Sequence, residues 1–237
     1  MIDKIKSYGC SFVFGSDLSD CLHSTVPGSL KASNKTWPAL IAQELELEYE
    51  CYAKPGVGNN YIAQQVISNA DPDSINVIVW SWIDRWEFFD ITDNCWTTVR
   101  PAGTEDHPLA EIYYKYLQSE LQDKWQSLNY IYSTHEYLRK HNIPFISHVM
   151  DELLLDVTYN CPPYIATLQD DTRDTIESFS AATPMGLIVQ PSFLDWSQLN
   201  NYPISKGMHP LEEAHEAAAR YWISLYKKEI SKHIIDK

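Results

Sequence analysis

Residues 1–15 read MIDKIKSYGCSFVFG, and this stretch determines the fold that we expect. Apolar residues alternate with polar ones up to Tyr8, which predicts a short strand over residues 4–8. Gly9-Cys10-Ser11 follows and presents a serine in a tight turn directly after that strand. Near the other end of the chain, His209 and Pro210 immediately precede an amphipathic helix. A serine after the first strand and a histidine before the last helix can supply the nucleophile and base of an α/β hydrolytic enzyme.

Strand and helix patterns alternate along the rest of the 237 residues, which is typical of a mostly parallel sheet covered by helices. We therefore expect an α/β fold, a three-layer α/β/α sandwich, in a single domain over residues 1–237. Further strands are predicted at 48–52, 76–82, 144–149 and 187–189. Helices are predicted at 37–45, 61–70, within 109–141 and at 211–232. Residues 151–201 show the least periodicity and are interpreted as an irregular insertion or lid.

Composition excludes several classes of partner. The net charge of −14 argues against binding to nucleic acid or to an anionic membrane, because both need a positive field. No stretch approaches the roughly 18 apolar residues of a membrane span, and the first residues lack the features of a secretory signal. A cytoplasmic location is expected, and the oligomeric state is left open.

Motifs for metals and cofactors do not occur. The five cysteines are scattered without C-x-x-C spacing, and the histidines show no ligand spacing that predicts a metal site. The segment 9–15 lacks the Lys-Ser or Lys-Thr of a phosphate-binding loop, and the turn 56–61 lacks the third glycine of a dinucleotide fingerprint. We expect neither a cofactor nor a metal.

Four sequence blocks carry a resemblance to a known family. They are Gly9-Cys10-Ser11 with a glycine four residues after the serine, the Gly/Asn-rich turn 55–60, the segment 81–85, and His209 before the last helix. In this order they resemble the SGNH hydrolase (GDSL-like esterase) superfamily, and the chain also looks similar to SGNH-like proteins of bacteriophages. The resemblance implies a hydrolase of ester bonds with Ser11 as nucleophile and His209 as general base.

The resemblance also implies an oxyanion hole formed by backbone or side-chain donors of Ser11, Gly58, Asn59 and Asn60. Such donors stabilise the negative charge of a tetrahedral intermediate. Two positions depart from the family pattern. Ile83 stands where the family has a donor asparagine, and Lys206 stands where it has the aspartate that orients the histidine.

Other polar residues could compensate for these departures. Residues after the third predicted strand are expected to line the site: Ser81, Trp82, Asp84 and Arg85. Arg85 could bring a positive charge to the oxyanion, or could instead pair with Glu87 or Asp84. Asp195 or a backbone carbonyl within 203–206 could hold the imidazole of His209.

Each feature also has a purely structural interpretation. Ser11 could be an ordinary turn serine, and His209 could only mark a helix start. The aromatic residues around the third strand could fill the core or form a wall that stacks on carbohydrate: Trp80, Trp82, Trp86, Phe88 and Phe89. The leading hypothesis is an esterase or carbohydrate O-deacetylase acting on a small-molecule or glycan ester. The alternative is a catalytically impaired domain that binds a glycan or serves as a virion structural or assembly protein.

Overall fold

A parallel sheet forms the centre of the protein. The computed structural model describes residues 2–21, 31–101, 107–150, 188–189 and 191–235. The described strands are β1 (Lys4–Tyr8), β2 (Glu48–Cys51), β3 (Ser74–Trp80), β4 (Trp86–Asp90), β5 (Cys95–Val99), β6 (Phe145–Val149) and β7 (Ile188–Val189). The main sheet has the order β2-β1-β3-β6-β7, and every neighbouring pair in it is parallel. This order reverses direction between β1 and β3, which is where ligands bind in open α/β sheets.

Helices flank the sheet, as the alternating pattern predicts. They are α1 (Ser11–Phe14), α2 (Trp37–Glu44), α3 (Asn59–Asn69), α4 (Pro108–Ile112), α5 (Glu120–Lys140), α6 (Phe193–Leu199) and α7 (Glu212–Ile235). The helix α2 packs against α7, and α3 packs against α5. The predicted α/β class with a mostly parallel central sheet is confirmed.

The core lies around the three central strands. All seven residues of β3 and all five of β6 are buried, since helices cover both faces of a parallel sheet. Trp80 is fully buried at the end of β3, where its indole N–H donates to Ser147 Oγ at 3.1 Å. Trp37 at the start of α2 packs edge-on against Trp222 of α7. Trp80 is thus a core residue and does not belong to a ligand wall.

The predicted helical region 109–141 is broken. The helix α4 passes into a π-helical turn at Tyr113–Leu117, and Gln118 is extended before α5 begins. Asp123 holds this break, because its carboxylate accepts from Tyr113 Oη at 2.8 Å and from Gln118 Nε2 at 2.7 Å. These bonds are made between side chains of the two segments, so apolar periodicity alone does not reveal the break.

The hairpin of β4 and β5 is absent from the sequence prediction, and the third strand lies two residues earlier than predicted, at Ser74–Trp80 instead of 76–82. β3 ends at Trp80 instead of residue 82, because the next amide, of Ser81, donates to Asn59 Oδ1 at 2.7 Å. The chain then turns into the antiparallel pair β4–β5. Most of the predicted segment 151–201 lies outside the described residues, and its described part contains β7 and α6.

Candidate active site

The serine-bearing turn follows β1 at the carboxyl edge of the sheet. Ser11 is the first residue of α1, and Cys10 occupies the cap position. The turn closes at Gly15, which has φ 83° and donates its amide to Ser11 O at 2.9 Å. A side chain at Gly15 would be strained at this φ and would stand 2.5 Å from Ser33 Cβ. Because Ser11 is the first helical residue, its amide has no carbonyl partner within α1.

The histidine lies in a second tight turn, just before α7. Ser205 organises this turn, because its hydroxyl accepts from the amides of Gly207 at 3.1 Å and His209 at 3.2 Å. The amide of Ser205 donates in turn to His209 O at 2.9 Å. Met208 takes a left-handed conformation with φ 64°. The turn therefore fixes the backbone that carries the imidazole.

Asp17 holds the imidazole of His209. His209 Nδ1 lies 2.7 Å from Asp17 Oδ2, and Ser205 Oγ donates to the same oxygen at 2.6 Å. An ionised carboxylate only accepts hydrogen bonds, so Nδ1 carries the proton and Nε2 is left as the basic nitrogen. The Asp17 side chain is 40% exposed and that of His209 is 19% exposed. This is the arrangement in which a carboxylate orients a general base.

The two turns meet at α1. The ring of Phe12 lies edge-on to the imidazole of His209, with the ring centroids 5.3 Å apart. The amide of Ser19 also donates to Glu212 Oε1 at 2.9 Å, which ties the loop after α1 to the start of α7. Ser11 itself is buried, at 6% exposure. The structure thus places His209 against the helix that Ser11 begins, although the two residues are nearly 200 positions apart in the sequence.

A carboxylate occupies the amides of the turn before α3. Glu87 of β4 accepts from the amide of Gly58 at 3.0 Å and from that of Tyr61 at 3.0 Å. Thr98 on β5 donates its hydroxyl to the same carboxylate at 3.0 Å. Burial raises the pKa of Glu87, and the two amides oppose that rise. The Gly58 amide, predicted as an oxyanion donor, is therefore already bonded.

The predicted donor Asn59 forms a link between two turns. Its amide nitrogen donates to Ser81 O at 3.2 Å and to Ser127 Oγ at 3.1 Å, while its oxygen accepts from the Ser81 amide. Asn60 accepts from Gln64 Nε2 at 3.1 Å, one helical turn later. The side chain of Asn59 is buried in these bonds, which position the 81–85 segment beside α3.

Arg85 bridges the same two turns. Its Nη1 donates to Val57 O and to Ser81 Oγ, both at 2.8 Å. Burial raises the pKa of the neighbouring Asp84, and the positive charge of Arg85 opposes that rise. The side chain of Ile83 is buried and has no hydrogen-bond donor. Arg85 thus ties the turn before α3 to the segment that follows β3.

The aromatic residues near the third strand divide between the two faces of the hairpin. Trp86 stacks on Tyr113 with ring centroids 4.4 Å apart, so this face packs on the α4 segment. Phe89 and Trp96 are cross-strand partners on the other face, and they are 46% and 44% exposed. Trp82 is half-buried beside the core. Only part of the predicted aromatic set is therefore available to a ligand.

Sequence reasoning missed two site residues, Asp17 and Glu87. Asp195, one of the two candidate partners for His209, instead takes a position in the first turn of α6, where its amide donates to Ser192 Oγ at 3.1 Å. The signal for Asp17 is its place two residues after the glycine that closes the serine turn. The signal for Glu87 is the strand-like alternation of 86–90 and 95–99 around an Asp-Asn turn.

His215 is a structural histidine of the core. His215 Nδ1 accepts from the amide of Trp37 at 3.0 Å, and burial lowers the pKa of this histidine to about 3.

Over residues 2–21, 31–101, 107–150, 188–189 and 191–235, no group of three or more His, Cys, Asp or Glu residues could hold a metal ion. Within the same ranges, no helix has the length and apolar character needed to cross a membrane.

Comparisons with known proteins give matches to solved structures alone. No protein-family model matches the chain, and no curated protein matches it. An acetyl xylan esterase from the rumen bacterium Butyrivibrio proteoclasticus is 11% identical, with a TM-score of 0.50, over 97% of this chain and 64% of that chain. A carbohydrate esterase, whose active site is described as displaying divergent catalytic and non-catalytic binding functions, is 12% identical, with a TM-score of 0.50. That alignment covers 95% of this chain and 68% of the esterase.

A third match is a protein from Desulfitobacterium hafniense DCB-2 described as lipolytic and of the G-D-S-L family. It is 15% identical, with a TM-score of 0.45, over 93% of this chain and 98% of that chain. The present chain spans about two thirds of the length of the two carbohydrate esterases. At these identities the comparison concerns the fold alone. The chain has an SGNH hydrolase-like fold.

Proposed function

We propose that this protein is a serine-dependent ester hydrolase in which Ser11, His209 and Asp17 form the catalytic triad. The observation that carries the proposal is the 2.7 Å contact between His209 Nδ1 and Asp17 Oδ2, made against the helix that Ser11 begins. This contact supplies the orienting carboxylate that Lys206 cannot supply. The fold shared with two carbohydrate esterases supports hydrolysis of ester bonds.

The reaction proceeds in two steps on these residues. Ser11 Oγ attacks the ester carbonyl carbon while His209 Nε2 takes the hydroxyl proton, and Asp17 stabilises the resulting imidazolium. The tetrahedral intermediate then breaks its bond to the alcohol, which leaves with the proton from His209. Water then attacks the acyl carbon while His209 takes its proton, and His209 returns that proton to Ser11 Oγ as the bond to the acyl group breaks and the carboxylic acid leaves.

Fewer unoccupied hydrogen-bond donors are available to the oxyanion of this intermediate than the family resemblance implies. The amide of Ser11 is the first of α1 and points out of the helix end. The Gly58 amide is bonded to Glu87, and the side chain of Asn59 is bonded to the 81–85 segment. Each lost donor costs about 10²- to 10³-fold in kcat in the proteases where this was measured. We therefore expect slow turnover.

A small acyl group on a sugar is the substrate that we favour. Two solved structures with the same fold are named as carbohydrate esterases, one of them an acetyl xylan esterase. The exposed aromatic pair Phe89 and Trp96 on the hairpin offers a surface on which a sugar ring can stack. An acetylated saccharide fits both observations.

Hydrolysis of p-nitrophenyl acetate by purified variants tests the mechanism. Ser11→Ala and His209→Ala are expected to abolish the enzymatic rate, because each removes a group that exchanges the proton. Ser16→Ala is the matched control for Ser11→Ala. It removes a buried hydroxyl in the same loop that has no hydrogen-bond partner in the described part of the chain. We expect that control to keep the wild-type rate, and melting temperatures should stay within a few degrees.

A second function is favoured by the bonded donors at Gly58 and Asn59. A domain whose oxyanion donors are engaged could bind a glycan without cleaving it, or could serve as a virion structural or assembly protein. Equal hydrolysis rates in the wild type, Ser11→Ala and His209→Ala proteins would reject the esterase and favour this alternative.

A further inference from the structure

The hydroxyl of Ser205 uses all of its hydrogen-bonding groups. It accepts from the amide of Gly207 at 3.1 Å and from the amide of His209 at 3.2 Å. A serine hydroxyl has two acceptor lone pairs and one proton. Because the two amides can only donate, they take the lone pairs, and the hydroxyl proton is directed to Asp17 Oδ2 at 2.6 Å. The turn that carries the imidazole therefore also carries a fixed donor for the carboxylate.

One carboxylate oxygen receives both the hydroxyl and the imidazole. Asp17 Oδ2 lies 2.6 Å from Ser205 Oγ and 2.7 Å from His209 Nδ1. An ionised carboxylate oxygen has enough lone pairs to accept from both donors. Ser205 and the imidazole therefore hold the same oxygen from two sides.

Asp17 is a residue whose side chain needs such an anchor. Its backbone has φ 69°, in a region that residues with a side chain populate sparsely. Its side chain is 40% exposed, so water competes with the imidazole for the carboxylate. A second hydrogen bond to Oδ2 opposes rotation of the carboxylate into the solvent, and only Ser205 among the residues of the 205–209 turn donates a side-chain hydrogen bond to it.

Gly207 leaves space for the carboxylate in the same turn. Its φ lies outside the left-handed region, so the backbone there does not require a glycine. A Cβ at this position would, however, stand 2.9 Å from Asp17 Oδ2 and 3.1 Å from His209 Nδ1. A side chain at residue 207 would therefore enter the contact between the two groups. This steric fit is a second observation, independent of the hydroxyl, that matches the turn to the carboxylate.

We propose that Ser205 is a positioning residue whose hydroxyl holds the carboxylate of Asp17 against His209 Nδ1, so that Nε2 stays the basic nitrogen. The inference rests on the proposed function, in which Asp17 and His209 belong to the catalytic triad. It accounts for an active histidine without an aspartate at residue 206, because the neighbouring serine holds a carboxylate that comes from another segment.

Backbone hydrogen bonds keep the turn closed when the hydroxyl is removed. The amide of Ser205 donates to His209 O at 2.9 Å, and Ile204 and Pro210 form an antiparallel bridge. These contacts do not involve the Ser205 side chain and remain in Ser205→Ala. The substitution is therefore expected to act on the carboxylate more than on the fold of the turn.

Steady-state kinetics with p-nitrophenyl acetate in a double-mutant cycle test the role. Ser205→Ala should lower kcat by about 3- to 10-fold with little change in KM, which is the fold-change that corresponds to one ordinary hydrogen bond. In the Asp17→Ala background the same substitution should change kcat by less than about twofold, because the carboxylate on which it acts is gone. An equal loss in both backgrounds would show that Ser205 only shapes the turn, and would overturn the proposal.

Ser33→Ala is the matched control. The Ser33 hydroxyl donates to the carboxylate of Asp20 and accepts from the amide of Lys35 at 2.9 Å, so it makes the same kinds of bond beside a different carboxylate. We expect this variant to keep the wild-type kcat. A loss in Ser33→Ala as large as that in Ser205→Ala would show a general loosening of the loop after α1 and would overturn the proposal.

A spectroscopic measurement tests the position of the proton without requiring catalysis. Long-range ¹H–¹⁵N correlation spectra of protein labelled at histidine show which imidazole nitrogen carries the proton, and His209→Ala identifies the signals of His209. At about pH 8, where an ordinary imidazole is neutral, we expect the Nδ1–H tautomer in the wild type and in Ser33→Ala. Ser205→Ala should give a mixture of tautomers, because the hydrogen bond at one nitrogen sets the state of the other. The wild-type spectrum in Ser205→Ala would overturn the proposal.

The two measurements separate this inference from the proposed function. A change of tautomer in Ser205→Ala with no Ser11-dependent hydrolysis would retain the inference about Ser205 and reject the esterase. Ser11-dependent hydrolysis with an unchanged kcat and an unchanged tautomer in Ser205→Ala would retain the esterase and reject the role of Ser205.

Discussion

Asp17→Asn tests the contact on which the proposed mechanism depends. The substitution keeps the shape of the side chain and removes its charge. In the wild type, Asp17 Oδ2 accepts from His209 Nδ1 at 2.7 Å and from Ser205 Oγ at 2.6 Å. An asparagine can present its oxygen to one of these donors, or it can turn its amino group to the imidazole. The second orientation stabilises the tautomer whose Nε2 carries the proton, and that nitrogen cannot act as a base.

The exposure of the pair sets the size of the effect. Because the Asp17 side chain is 40% exposed, an effective dielectric constant of about 40 to 80 applies. At the observed 2.7 Å, the carboxylate then stabilises an imidazolium by about 1.5 to 3 kcal/mol. A loss of that size corresponds to about 10- to 200-fold in kcat. The value is below the roughly 10⁴-fold loss known for a buried aspartate in a serine protease.

Initial rates with p-nitrophenyl acetate between about pH 6 and 9 measure this effect. The control is Asp20→Asn, which removes a carboxylate three residues later that accepts from the amide of Asn34 at 2.9 Å. We expect Asp17→Asn to lower kcat with little change in KM, and Asp20→Asn to keep the wild-type kcat. A kcat within twofold of wild type for Asp17→Asn, or an equal loss in Asp20→Asn, would refute the role given to Asp17.

Three further outcomes follow from the described contacts. Glu87→Ala should raise kcat by about tenfold or more, because it frees the Gly58 amide for the oxyanion. It should also lower the free energy of unfolding by about 1 to 3 kcal/mol, because the buried donors lose their acceptor. Unchanged kcat in steady-state assays would contradict this prediction. Asn59→Ala should lower the free energy of unfolding, measured with urea, by about 2 to 4 kcal/mol, since it leaves the buried amide of Ser81 without its acceptor. The control Asn60→Ala should lower it by under about 0.5 kcal/mol. Three buried histidines have pKa values lowered to about 3 by burial: His135, His148 and His215. The unfolded chain binds their protons near pH 6.5, so their contribution to stability is complete above that pH and is lost as the pH falls, by about 1.4 kcal/mol per pH unit for each histidine. Urea titrations at several pH values between about 4 and 6 measure this slope, and His148→Gln should reduce it by about 1.4 kcal/mol per pH unit. An unchanged slope in that variant would contradict the assignment.

The central strand β3 was predictable because it is buried on both faces. Five of the seven residues of 74–80 are apolar and four of these are β-branched, which predicts a buried strand. The first strand has the bounds that were predicted for it, Lys4–Tyr8. The break before α5 and the end of β3 were not predictable, because they depend on the side chains of Asp123 and Asn59 bonding to other segments. The hairpin β4–β5 was missed although its turn residues and alternation are present in the sequence.

The sequence by itself determined the α/β class, the serine after β1 and the histidine before α7, because local periodicity and turn chemistry depend on near neighbours along the chain. Only the tertiary structure decided what those residues contact. The carboxylate that holds His209 comes from Asp17, 192 positions away, and the carboxylate bonded to the Gly58 amide comes from a hairpin beyond the next strand. Hydrogen bonds between distant segments form when packing brings the two turns together, and no spacing within either segment encodes that meeting.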